Sequence, residues 1–361
     1  MKNKKVIKNL IRIFVVIALI GVTLWGMVIV SYVMRPISHS RQNFCGFYAE
    51  PDNSLDAVMI GSSSCYYAWQ PLRGFNEYGF TSYNLGSDAL QPQSIEYEVK
   101  EIIKTQSPKL LMIDLRPFQY GNVMSNSEDS VNMERVAPFR NVSDNMKYSM
   151  NRYEFIHKAA PTAEDEWTYQ IDISKYHALI SELFSAENWK YAFNSYPLTA
   201  KGFWYHYESR IIEFDPRDNK EEYAALNDKI KDMFISLLDT VKLECPDTEV
   251  LFLVMPHKDY GKVEGVYNSL YKIIDEYGYD YLNLMDYMDY MRLDRLYDFR
   301  DGDHLNLSGA TKVSEFIGSY IDMRYNLPDR RNDSEYENWN ECYRTWNEEM
   351  SQVQIIEMDY D

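Results

Sequence analysis

Cysteine is scarce in this chain: four in 361 residues, at Cys45, Cys65, Cys245 and Cys342. No two stand at CxxC spacing, which argues against a redox pair or a cysteine zinc site. Four cysteines do not make a disulfide scaffold for a chain of this size, so buried free thiols are expected. Histidine motifs are missing too. His157, His177 and His206 form neither HxxxH nor HExxH, so surface or hydrogen-bonded roles are expected, with no metal and no cofactor implied. Basic charge is in deficit, with 37 Lys and Arg against 55 Asp and Glu. Without the five basic residues of Met1–Arg12 the balance is 32 against 55, or −23. Nucleic acid is thereby disfavoured as a partner, since a phosphate backbone requires a cationic surface. No internal repeat is present.

The chain does possess one long apolar run. Met1–Arg12 carries Lys2, Lys4, Lys5, Lys8 and Arg12 with no acid, and Ile13–Val33 then gives 21 residues without a charge. As a helix that run spans roughly 30 Å, the thickness of a bilayer core. It is too long for a signal-peptide core, and no small-x-small cleavage site follows before Arg35. The expectation is a cytoplasmic basic segment (1–12), one membrane-spanning helix (13–33) and an outward-facing remainder. Residues 34–54 read as a linker, and near 325 residues remain for folded structure.

From there the pattern is that of an α/β domain over 55–328. Ala57–Ile60, Leu110–Leu115 and Val250–Met255 are apolar stretches that read as strands, and Thr81–Leu85 and Tyr281–Leu284 are further strand candidates. Ser94–Thr105, Asn219–Lys242, Lys262–Tyr277 and Gly309–Tyr325 have helical spacing, with Ser308 as cap of the last. Strands alternating with amphipathic helices predict a parallel sheet with helices on both faces. Between about 117 and 218 no strand is evident. A loop of that length is implausible, so a helical insertion is expected. The acidic tail, 329–361, has no assigned place.

Three features fall at predicted strand ends, where open parallel sheets gather their sites. Gly61-Ser62-Ser63-Ser64 follows the first strand, and a serine at such a turn can present its Oγ and its amide together. Equally, Gly-Ser runs cap helices. Asp301-Gly302-Asp303-His304 precedes the last helix. A histidine can take a serine's proton, and a carboxylate three residues earlier can orient it. Asp298 and Asp303 compete for that role, and the plain alternative is a solvated turn at Gly302. Gly86 ends the second strand, where it allows close approach of backbone to an oxyanion or simply makes a turn.

The order GSS, NLG, DLR and DGDHLN resembles the SGNH/GDSL superfamily. The likeness covers roughly residues 55–116 and 245–325. It implies a three-layer α/β/α, flavodoxin-like fold, with Ser63 as nucleophile, His304 as base, Asp301 as its orienting carboxylate and Gly86 as an oxyanion donor. Ser62 stands where the family has Asp. The asparagine of the third block is absent, and the third strand instead ends Asp114-Leu115-Arg116-Pro117, so Arg116 is the candidate substitute donor. Membrane-anchored members with this pattern resemble the alginate O-acetylation proteins and the D-alanine transfer protein of teichoic acid modification. The implied activity is acyl transfer or ester hydrolysis on a cell-surface glycopolymer, with a multi-spanning membrane acyltransferase as partner. The missing asparagine also allows a non-catalytic SGNH-fold module that binds glycan or scaffolds such a partner. His257 is expected at the edge of the cleft. Phe203-Trp204-Tyr205-His206-Tyr207 reads as core rather than a sugar platform.

Overall fold

The computed structural model describes residues 2–125, 136–160, 162–193, 196–217 and 222–358. Five strands, β1 Ala57–Gly61, β2 Ser82–Gly86, β3 Leu110–Asp114, β4 Glu249–Val254 and β5 Asp280–Asn283, form one parallel sheet in the order β2-β1-β3-β4-β5. Each coincides with a strand candidate of the sequence. Every residue of β1, β2 and β3 is buried, as in parallel sheets covered on both faces. Gly61 lies opposite Gly86, and Ile60 opposite both Leu85 and Ile113. The chain passes from β1 outward to β2 and then crosses back to β3 on the other side of β1, so the winding reverses there and opens a crevice at the C-terminal ends of β1 and β3.

The helices before the insertion are α1 Lys2–Met34, α2 His39–Ala49, α3 Ser63–Tyr66, α4 Pro71–Tyr78, α5 Pro92–Ile102 and α6 Arg116–Ser125. In the insertion are α7 Val136–Ser143, α8 Met150–Ala159, α9 Ala163–Gln170, α10 Asp172–Tyr176 and α11 Ala186–Ala192, with a 3-10 segment at His177–Phe184. After it come α12 Asp228–Glu244, α13 Tyr260–Tyr277, α14 Leu307–Arg324 and α15 Glu337–Met358. The insertion is helical as far as α11. Residues 197–217 then return as an extended strap without helix or strand. Among the described residues, the cysteines are free thiols, three of them buried.

α1 is long and apolar enough to cross a membrane, with a mean hydropathy of 2.8 in its most apolar window. Its far end is clasped by the insertion. Asn188 Nδ2 donates to Val33 O at 2.8 Å. Arg35, the first residue after the helix, donates from Nε to Asp172 Oδ2 at 2.8 Å. Asp172 also binds Arg152 at 3.0 Å and Lys175 at 2.8 Å. Burial alone would raise the Asp172 carboxyl, but Arg35, Lys175 and Arg152 hold it well below the usual carboxylate range.

Three expectations need correction. The segment 34–54 is not a linker. It contains α2, whose Ser38 cap accepts from Arg41 N and whose Asn43 donates to Gly86 O at 3.0 Å. Polar residues here bury themselves by meeting backbone groups, which hydropathy does not register. The helix expected from Asn219 begins at Asp228, capped by Asn227, because residues 222–227 are held extended by contacts such as Ala224 N to Gly265 O at 3.0 Å. Residues 218–221 lie outside the described residues. The last helix is capped by Asn306, which accepts from Gly309 N at 3.1 Å, while Ser308 donates to Asp298 Oδ1 at 2.7 Å. The tail is folded as far as Met358. α15 packs on α4, with the Trp339 ring 5.4 Å from that of Phe75.

Candidate active site

The site forms where β1 and β3 end. Gly61 closes β1, and a Cβ there would lie 2.9 Å from Asp114 Cβ and overlap Cys65. Only glycine lets the chain turn that tightly into α3. Ser62 occupies the extended cap position and Ser63 is the first residue of the helix. Ser64 Oγ donates to Asp114 Oδ2 at 3.0 Å, and the Arg116 amide donates to Asp114 Oδ1 at 3.0 Å. Burial raises the Asp114 carboxyl against these donors. Asp114 thereby ties the serine turn to the end of β3. Sequence reading had given it no role, although its place at the end of the clearest early strand was a usable signal.

The histidine arrives on a turn between Phe299 and Leu305, which form an isolated antiparallel bridge. Arg300 N donates to His304 O at 3.0 Å, and Lys258 N, just past β4, donates to Gly302 O at 2.8 Å. These bonds set the turn beside β1. Ser63 Oγ and His304 Nε2 lie 2.7 Å apart. His304 Nδ1 lies 2.8 Å from Asp301 Oδ1 and 3.0 Å from Oδ2. Asp301 Oδ1 also accepts the amides of Asp303 at 2.9 Å and His304 at 3.0 Å. Burial pushes the Asp301 carboxyl up, but those amides and the His304 ring outweigh it and hold it below its usual range. An ionised carboxylate at Nδ1 selects the tautomer protonated there, leaving the Nε2 lone pair to face the serine hydroxyl.

Ser63, Arg116 and His304 share a cleft of about 380 Å³ with Leu90, Pro92 and Pro117. Arg116 is almost fully buried. Its Nη2 reaches Asp303 and, at 3.1 Å, the Tyr120 hydroxyl. Burial opposes its charge, but Tyr267, Tyr120 and Asp303 more than restore it, so the guanidinium is cationic. The carboxylates that competed with Asp301 are thus otherwise engaged, Asp303 with Arg116 and Asp298 with Lys312 at 2.6 Å.

Gly86 is placed differently. It is not part of the cleft wall. A Cβ there would meet the Tyr66 ring at 2.7 Å, so its absent side chain is explained by the seating of α3 on β2. His257 is fully buried with Nε2 3.0 Å from the Tyr267 hydroxyl, outside the cleft, and burial followed by Arg116 lowers its basicity. Of the aromatic cluster expected in the core, only Phe203 is buried; Trp204, Tyr205 and His206 are half-buried and Tyr207 is exposed. His206 is closer to the site than its spacing suggested. Its ring lies 4.4 Å from Tyr67, whose own ring is 5.4 Å from His304. His206 Nε2 is 2.6 Å from Arg300, and burial, Arg300 and His304 together lower its pKa. Only the strap's path brings it there. Among the described residues, no group of His, Cys, Asp and Glu is placed to hold a metal ion.

The arrangement can move a proton from a serine hydroxyl to an oriented imidazole at the mouth of a partly apolar cleft. Comparison with profiles of known protein families, with curated protein sequences and with solved structures finds no match for the chain.

Proposed function

We propose that the protein is a membrane-anchored serine acyltransferase or esterase of SGNH type, acting on O-acyl groups of cell-surface polymers through an acyl-serine. The observation that carries the reading is the continuous Ser63–His304–Asp301 relay, with a 2.7 Å contact between Ser63 and His304, 241 residues apart, and a 2.8 Å contact from His304 to Asp301. The strand order 2-1-3-4-5 is that of flavodoxin-like doubly wound sheets, and the relay stands at the crevice where such sheets hold ligands.

In this reading Ser63 Oγ attacks an ester carbonyl carbon as its proton passes to His304 Nε2. Asp301 stabilises the imidazolium. The Ser63 amide and Arg116 face the charge that develops on the carbonyl oxygen. On collapse the alcohol leaves with the proton from His304, and the acyl group stays on Ser63. A glycan hydroxyl or water then reverses the sequence, giving transfer or hydrolysis. The basic N-terminus and the apolar helix support an anchor with its lysines in the cytoplasm and the site outside. An anchor of that orientation would leave the cleft within reach of a surface glycopolymer and of a multi-spanning acyltransferase.

The test is labelling of the full-length protein in detergent by a fluorophosphonate probe, read by intact mass and peptide mapping. One adduct on Ser63 that is lost in Ser63→Ala is expected. Equal labelling of both proteins, with unchanged melting, refutes the assignment and favours the binding module. Acyl-donor turnover with and without a polysaccharide acceptor then separates transfer from hydrolysis.

A further inference from the structure

We infer that the insertion is a membrane-contacting element, whose 3-10 segment His177–Phe184 and helix α11 seat apolar side chains in the leaflet nearest the domain. The inference rests on reading α1 as a membrane span.

Its basis is a mismatch of lengths along α1. The charge-free stretch Ile13–Met34 has 22 residues, roughly 33 Å of helix and enough for a bilayer core of about 30 Å. Yet not all of it is bare. Ile13–Trp25 are open on all sides, whereas cover begins at Gly26, and Ser31, Val33 and Met34 are buried. The bare part, Ile13–Trp25, has 13 residues, roughly 20 Å. It falls short of the core by about 10 Å. Sliding the helix the other way would draw Arg12 and then Lys8 beneath the opposite headgroups, which charged side chains resist. The remaining length therefore comes from the covered turns, and whatever covers them enters the leaflet with them.

The cover is the 3-10 segment, α10 and α11, all packed on α1. Their outward side chains suit that depth. Phe184 is 90% exposed, Ile180 62% and Phe193 59%. Trp189, also exposed, stacks on Phe193 with ring centroids 5.9 Å apart and donates its indole N–H to Leu183 O at 2.9 Å. Left in water, a cluster of this kind is an unexplained liability; at a headgroup boundary, aromatic and aliphatic side chains beside a span act as anchors. α10 also carries Asp172, which binds both Arg35, just after α1, and Arg152 of α8. Anchor and insertion thus form one rigid unit, and the domain is held at a set height and orientation rather than swinging on a tether.

Site-directed spin labelling of the full-length protein in phosphatidylcholine–phosphatidylglycerol vesicles tests this. Nitroxides are placed by Phe184→Cys and Ile180→Cys on the insertion. Leu19→Cys marks the anchor, and Tyr290→Cys marks an exposed position beside β5, the opposite edge of the sheet from α2. The labelled parent chain measures the background from its own thiols. Collisions with oxygen and with an aqueous nickel chelate are compared. Labels at 184 and 180 are expected to be oxygen-accessible and several-fold more shielded from nickel than the label at 290. If Leu19 is deep while 184 and 180 match 290, the inference fails and the anchor stands. If 184 and 180 are shielded from both reagents, protein rather than lipid covers them and the inference fails. If Leu19 itself is aqueous, the anchor reading fails, and this inference with it.

Discussion

Asp301→Asn removes the charge behind His304 while keeping the shape of the side chain. The expected loss follows from distance and exposure. The carboxylate lies 2.8 Å from Nδ1, and its side chain is 37% exposed. At that separation an imidazolium–carboxylate attraction is worth about 6 kcal/mol at an effective dielectric of ~20 and about 1.5 kcal/mol in water. Solvent screening of a group this exposed places the value between those limits, at about 3–4 kcal/mol. That is about 10²–10³-fold in rate. The amide adds a second fault. Its NH₂ competes to face Nδ1, which favours the tautomer whose Nε2 is protonated and cannot accept the Ser63 proton. The assay is the second-order rate of fluorophosphonate modification of Ser63 at neutral pH, followed by intact mass. Melting should move little, since no buried core is touched. A variant modified within about threefold of wild type would sink the assignment, because charge stabilisation of that size cannot be lost silently.

Two further outcomes concern buried carboxyls. Asp172→Asn strips Arg35 and Arg152 of their carboxylate and should destabilise the protein by about 3–5 kcal/mol. Because the folded Asp172 carboxyl is held below its unfolded value, its contribution is full above about pH 4 and is lost as pH falls through the folded pKa. The gap between variant and wild type in thermal unfolding should therefore narrow in strong acid; a constant gap refutes the ion-pair account. Glu98 is the opposite case. It is fully buried, with Ser87 as its polar neighbour, and burial drives its carboxyl well above the usual range. Wild-type stability from this group is present below about pH 4.3 and declines as pH rises through the folded pKa. Glu98→Gln should gain on wild type as pH rises, reaching about 1–3 kcal/mol by neutral pH in chemical denaturation. A pH-independent difference counts against it.

The sheet was legible because its strands are buried on both faces. Uninterrupted apolar runs as short as Leu110–Ile113 and Val250–Val254 fit little besides a strand with helices packed above and below it. The relay was legible because Asp301 and His304 are three residues apart and Ser63 sits at a strand end. The Arg116–Asp303 and Ser64–Asp114 pairs were not, since they join side chains 187 and 50 residues apart through tertiary structure. α2 was missed for a related reason. Its buried Phe44, Cys45 and Phe47 are mixed with equally buried Ser40, Arg41 and Asn43, and its partners lie on β2 and the insertion. Gly86 was misplaced in role because a glycine demanded by a neighbouring tyrosine ring and one demanded by a bound anion look alike in one dimension.

Ser63 and His304 stand 241 residues apart. A ribosome adding roughly 5–20 residues per second delivers the histidine on the order of ten to fifty seconds after the serine. In the proposed reading, the nascent chain holds Ser63 without its base throughout that interval. The turn that presents His304 hangs on Lys258, and α14 must then dock on α4. In the proposed reading, reactivity therefore arises only once His304 and α14 have been made, and a product that stops short of them is chemically silent.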